Sequence, residues 1–65
     1  MNDDELKKLY CSVFAADGSI KPCGRNTCSK LITEVKYRTG LDVGDEMTGI
    51  MNVKIMKDAC RGLFT

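Results

Sequence analysis

Residues 26–40 read Asn26-Thr27-Cys28-Ser29-Lys30-Leu31-Ile32-Thr33-Glu34-Val35-Lys36-Tyr37-Arg38-Thr39-Gly40. The stretch carries a start, a face and a stop for one helix. Asn26 can serve as N-cap, with Gly24 as the alternative, so the helix is expected to begin near Arg25 or Thr27. Cys28, Leu31, Ile32 and Val35 recur at helical spacing, and Thr39 extends the stripe. Lys30–Glu34 and Glu34–Arg38 are i,i+4 pairs on the solvent side, each worth about 0.2–0.5 kcal/mol. Lys36 and Arg38 suit the C-terminal turn, and Gly40 is a good residue to end it. An amphipathic helix at mid-chain needs other apolar faces to cover it.

Upstream, Asn2-Asp3-Asp4-Glu5 is a second helix start. Asn2 can cap, Glu5 can reach back, and acidic residues in a first turn suit the helix dipole. Leu6, Leu9, Tyr10, Val13 and Phe14 follow at helical spacing, which predicts a helix over 3–15 ended by Asp17-Gly18. Ile20, in a turn-rich segment before Pro22, is expected to plug the core. Downstream, Asn52 caps a third predicted helix over 52–61. Its apolar face is Val53, Met56, Ala59, Cys60 and Leu63, widened by Ile55, with Met51 and Phe64 at the ends and Gly62 weakening the last turn.

Between the second and third helices, the glycines at 40, 44 and 49 argue against a regular element. Leu41, Val43, Met47 and Ile50 nevertheless predict a loop packed on the domain, with Leu41 and Val43 able to pair briefly with Ile20. The fold expected is mainly α: a single small three-helix domain over 1–65, with a long packed loop and at most a minimal two-stranded β pairing.

Totals narrow the function. The chain has 65 residues, 43% hydrophobic and 29% charged, which is ordinary for a folded domain. A chain this short buries only about 60% of the surface its unfolded state exposes, so partners and good packing matter. Net charge is +1, too small for strong attraction to nucleic acid or anionic lipid. No apolar run is long enough to span a bilayer, so no membrane association is expected. The acidic opening is unlike a secretory leader, and a cytoplasmic location is expected, with thiols mostly reduced.

The four cysteines lie at 11, 23, 28 and 60, and none forms a C-x-x-C clip. Cys60 reads as core, and Cys11 as partly buried beside Tyr10. With Asn26 as N-cap, Cys28 falls in the first turn of the second helix, with Arg25 and Lys30 near in sequence, where a thiolate would be stabilised. Cys28 is therefore the candidate reactive thiol and Cys23 its resolving partner. The plainer alternative is that Cys28 simply begins the apolar face. With no histidine, neither Cys-His nor Ser-His catalysis can be built, and no enzyme is expected. No metal or other cofactor is expected either.

Phe14-Ala15-Ala16-Asp17-Gly18-Ser19-Ile20 resembles the first half of an EF-hand, with Asp17, Gly18 and Ile20 matching its Asp-Gly-x-Ile core. Val13, Ala15 and Gly24 stand where that family places ligands, so the resemblance implies a helix-ending turn and no calcium. Asp42, Asp45 and Glu46 read as a solvated acidic loop.

Lys54, Lys57 and Arg61 form a basic stripe on the third helix, partly neutralised by Asp58. The connections are too long for a helix-turn-helix, and two tyrosines and two phenylalanines suggest no stacking platform. Methionine is over-used at adaptable binding surfaces, and Met47, Met51 and Met56 flank or join this helix. The expected role is a non-catalytic protein-interaction or regulatory module, binding another protein or itself. The expected surface is Met51, Ile55, Met56, Lys54, Lys57 and Arg61. The alternatives are a nucleic-acid-associated regulator using the basic stripe, and a thiol-based redox protein using Cys28.

Overall fold

A computed structural model describes residues 1–22 and 24–64. Three helices and a two-stranded antiparallel sheet follow in the order α1 (Asp3–Val13), α2 (Arg25–Thr39), β1 (Gly44–Asp45), β2 (Ile50–Met51) and α3 (Val53–Leu63). The expected mainly α fold is the one observed. Helix α2 is central: α1 and α3 both pack closely on it, and their backbones approach each other far less.

Helix α1 starts as its sequence requires, with Asn2 Oδ1 accepting the Glu5 N–H at 2.8 Å. It stops at Val13 rather than 15. Phe14 turns extended and forms an antiparallel bridge with Ile20, while Lys21 N–H donates to Val13 O at 2.8 Å. The returning chain takes over backbone partners that two more helical residues would have used. Ile20 does not plug the core, being 48% exposed, and its bridge is to Phe14 rather than to Leu41 or Val43.

Helix α2 is capped by Gly24, without a side-chain cap bond, and not by Asn26, which lies inside the helix. The tip of the following hairpin sits on this first turn. A Cβ on Gly49 would lie 2.7 Å from Arg25 Cγ and 3.2 Å from Arg25 O. That contact favours an early start over the better capping residue. At the other end Gly40 takes the left-handed conformation (φ 73°), and its N–H donates to Lys36 O.

The glycine-rich connection is more regular than its composition predicts. Gly44 pairs with Met51 and Asp45 with Ile50. Gly44 has φ 153°, and a Cβ there would meet Ile50 O at 2.7 Å and Met51 Cα at 2.9 Å, so the two chains can approach only at glycine. Of the four apolar residues expected to pack this loop down, only Val43 is buried. Leu41 and Ile50 are exposed, and Met47 is 83% exposed. The loop is held instead by polar contacts: Asn52 N–H to Val43 O, Ser29 hydroxyl to Glu46 O, and Lys36 ammonium to Gly44 O.

Helix α3 begins at its expected cap, Asn52, whose Oδ1 accepts the Ile55 N–H at 3.3 Å. It runs on to Leu63, beyond the predicted end, with Gly62 inside the last turn. The core comprises Leu6, Val13 and Phe14 from the α1 region, Leu31, Ile32 and Val35 from α2, Val43, and Met56, Ala59 and Cys60 from α3. Among the described residues no polar or charged residue is buried. The core gains from apolar burial without the cost of desolvating a charge.

Candidate interaction surface

The structure distributes the six surface candidates over four places. Met56 is fully buried and packs in the core, with Cys60 Sγ donating to its Sδ at 3.7 Å. It is therefore core and not interaction surface. The reason is its phase: it lies one turn from Val53 and Cys60 on the face turned to α2. Met51 is half-buried on β2 and packs against the core. Lys54 and Ile55 are exposed on α3. Lys57 and Arg61 come together in a groove between α1 and α3.

The thiols separate as sharply. Because α2 begins at Arg25, Cys28 is its fourth residue, and its N–H bonds Gly24 O at 3.2 Å. It is past the turn of unsatisfied N–H groups that would have favoured a thiolate. Cys28 is half-buried and packs against the core, as the plainer alternative requires. Cys23, its expected resolving partner, lies outside the described residues. Cys11 is exposed rather than partly buried. Cys60 is core, and burial pushes its thiol up to about 11.

Four of the nine acidic residues engage cations of α2. Lys36 Nζ lies 3.0 Å from Glu46 and 3.7 Å from Asp42. Its hydrogen bond holds the Glu46 carboxyl below its usual range. Arg38 donates to Glu34 at 2.8 Å, to Asp3 at 2.6 Å and to Met1 O at 2.6 Å. The Arg38 hydrogen bond likewise lowers Asp3. Each depressed carboxylate contributes stability present above its unfolded pKa and lost as acid titrates the folded form. Asp17 Oδ1 accepts both the backbone N–H and the hydroxyl of Ser19, which lowers it as well. This local Asx turn uses the carboxylate of the EF-hand-like segment within the turn itself. Among the described residues no group of three or more His, Cys, Asp or Glu is placed to hold a metal ion.

The groove itself is built from two matching stripes. Lys7, Tyr10 and Phe14 follow each other by three and four residues in and just after α1. Lys57, Arg61 and Phe64 follow by four and three in and just after α3. Residues at such spacings share a helix face. The fold turns the two stripes toward one another. Tyr10 lies 4.7 Å from Phe14 and 5.6 Å from Phe64, ring centroid to centroid, the second contact edge-on. Lys57 Nζ stands 5.9 Å from the Phe14 centroid, and Lys7 Nζ 6.0 Å from that of Phe64. Gly18 makes room for Lys57, since a Cβ there would sit 3.1 Å from Nζ.

Tyr10, Gly18, Lys57, Cys60, Arg61 and Phe64 line a shallow space of about 360 Å³. That is at the low end of the roughly 300–1,000 Å³ typical of small-ligand sites. Desolvation raises the Tyr10 phenol, with Cys60 and Cys11 adding and Arg61 opposing. Among the described residues Lys7, Lys57 and Arg61 form no ion pair. Single-helix periodicity finds Lys57 and Arg61 but misses Lys7, Tyr10, Gly18 and Phe64. The visible signal is the repeated pairing of cations with aromatics at spacings of three and four.

Among the described residues no helix is long and apolar enough to cross a membrane. The chain matches no protein-family model, no curated protein and no solved structure.

Proposed function

We propose that the protein is a non-catalytic protein-interaction module that engages its partner through the α1–α3 groove. One observation carries this: three cations that form no ion pair among the described residues surround an aromatic cluster in the groove between α1 and α3. Aromatic residues and arginine are the types enriched at protein interfaces. The nucleic-acid alternative is weaker. Base stacking needs open ring faces, whereas Tyr10 is flanked by two rings and the Phe14 and Phe64 faces are taken by lysines. A cytoplasmic setting fits the exposed Cys11 thiol, which a reducing compartment preserves.

Site-specific photo-crosslinking tests the proposal. Benzoylphenylalanine in place of Phe64 should give a discrete protein adduct in lysate from the cell of origin. The same group in place of Tyr37, exposed on α2, should not, and Arg61→Glu should abolish the adduct at 64. Equal adducts from both positions, no adduct from 64, or nuclease-sensitive adducts would each overturn it. An adduct to a second copy of the chain supports it, with self-association as the form it takes.

A further inference from the structure

The geometry points to the chemical class of the partner: an acidic segment carrying one apolar side chain, its carboxylates on Lys7, Lys57 and Arg61 and its apolar group beside Tyr10 and Phe64. This rests on the protein-interaction function proposed above and names its ligand.

The first support is where charge is compensated. Lys36 and Arg38 each meet two carboxylates within the chain. Among the described residues the groove cations meet none, although carboxylates are near. Asp17 feels the Lys57 charge, but its Oδ1 accepts two hydrogen bonds from Ser19. Asp3 feels Lys7, but its short contact is to Arg38. Asp58 follows Lys57 directly in sequence and pairs with neither Lys57 nor Arg61. The groove edge therefore keeps positive charge that an incoming carboxylate can meet. Such complementarity sets specificity and association rate more than raw affinity.

The second support is position. The lysine heads stand over aromatic faces, where the ring quadrupole holds a cation without neutralising it. Lys57 is further confined where Gly18 leaves room for it. Both ammonium groups thus stand about 6 Å from a ring centroid, beside the floor where an incoming apolar group would lie. The third support is the floor. Tyr10 and Phe64 are only partly buried, and Cys60, beneath them, is held neutral by burial. A modest apolar side chain fits this floor without desolvating a charge. Recognition of acidic motifs by clustered cations follows the same physics.

Fluorescence anisotropy tests the assignment. The probe is a fluorescein-labelled peptide of alternating glutamate and aspartate around a single leucine. Controls are the same peptide with lysine for each acid, the peptide with serine for leucine, and a labelled oligodeoxythymidylate. The acidic probe should bind, and more weakly as salt rises from about 50 to about 500 mM. Lys57→Glu and Arg61→Glu should each weaken it by about tenfold or more. Lys30→Glu, exposed on α2 and outside the groove lining, should change it by less than about twofold. Circular dichroism confirms that each variant is folded. No binding of the acidic probe, equal loss in Lys30→Glu, or preference for the oligonucleotide overturns the assignment. If the probe fails while the Phe64-position crosslink persists, the acidic ligand is wrong and the interaction function stands. If both fail, both fall.

Discussion

Two sides of this small domain use charge in opposite ways. On the side where the hairpin meets α2, acidic and basic groups satisfy each other: Lys36 gathers Glu46, Asp42 and the Gly44 carbonyl, and holds a loop with one buried apolar anchor. On the side where α1 faces α3, aromatic rings do the packing, and two lysines stand over them with no carboxylate paired to either among the described residues. The first arrangement fixes a loop that apolar burial alone would leave loose. The second packs two helices by rings and leaves positive charge available to an outside partner. Exposed ion pairs are individually weak, so their use here is positional more than energetic.

Both sides rest on the same core, and the sharpest way to break the comparison is to damage it. Met56→Ala should cost about 2–5 kcal/mol through lost burial and the cavity left. The loss should not depend on protein concentration, because Met56 is buried within one chain. Chemical denaturation at two concentrations checks this. A loss that shrinks at high concentration would mean that α3 is turned outward into an interface.

Next in size is a change confined to the hairpin. Gly44→Ala must push a Cβ into Ile50 O and Met51 Cα, and should cost about 1–3 kcal/mol. Hydrogen exchange should show the loss at the amides around β1 and β2, while the slow amides of α1 keep their rank. Equal loosening of α1 would erase the distinction between the two sides.

The smallest effect belongs to the groove floor. The Cys60 thiol is raised from 9.0 to about 11 in the folded protein. A raised acid contributes stability fully present below its unfolded pKa and lost as pH rises toward the folded one. The unfolded chain therefore gives up this proton first, and about 1.4 kcal/mol should be lost by about pH 10. Melting curves across that range should steepen their decline above about pH 9. Cys60→Ala, less stable at every pH, should flatten that part of the profile. An unchanged slope would mean that the thiol is not desolvated.

How much of this was legible in the chain follows from the range of the forces. Asn2 and Asn52 act within three residues, and both caps stand where the sequence puts them. The apolar faces of α1, α2 and α3 were legible for the same reason. The start of α2 was legible only as two options, because the choice of Gly24 over Asn26 depends on a hairpin tip more than twenty residues away. The hairpin was obscured because its two-residue strands depend on Lys36 and on close approach at Gly44, not on alternating apolar residues. The groove was half legible. Lys57 and Arg61 showed as a stripe, but Phe64 gains meaning only once Tyr10 is beside it.

The full burial of Met56 has a kinetic consequence. Methionine reacts with peroxide only where the oxidant can reach it. Met47, on the hairpin tip, is open at all times, whereas Met56 is sealed until the core parts. The two residues thus act as paired clocks in one chain. Met47 runs at the rate of the chemistry, and Met56 at that rate reduced by the fraction of time the domain is open. The ratio of their oxidation rate constants gives the opening free energy, in the absence of denaturant.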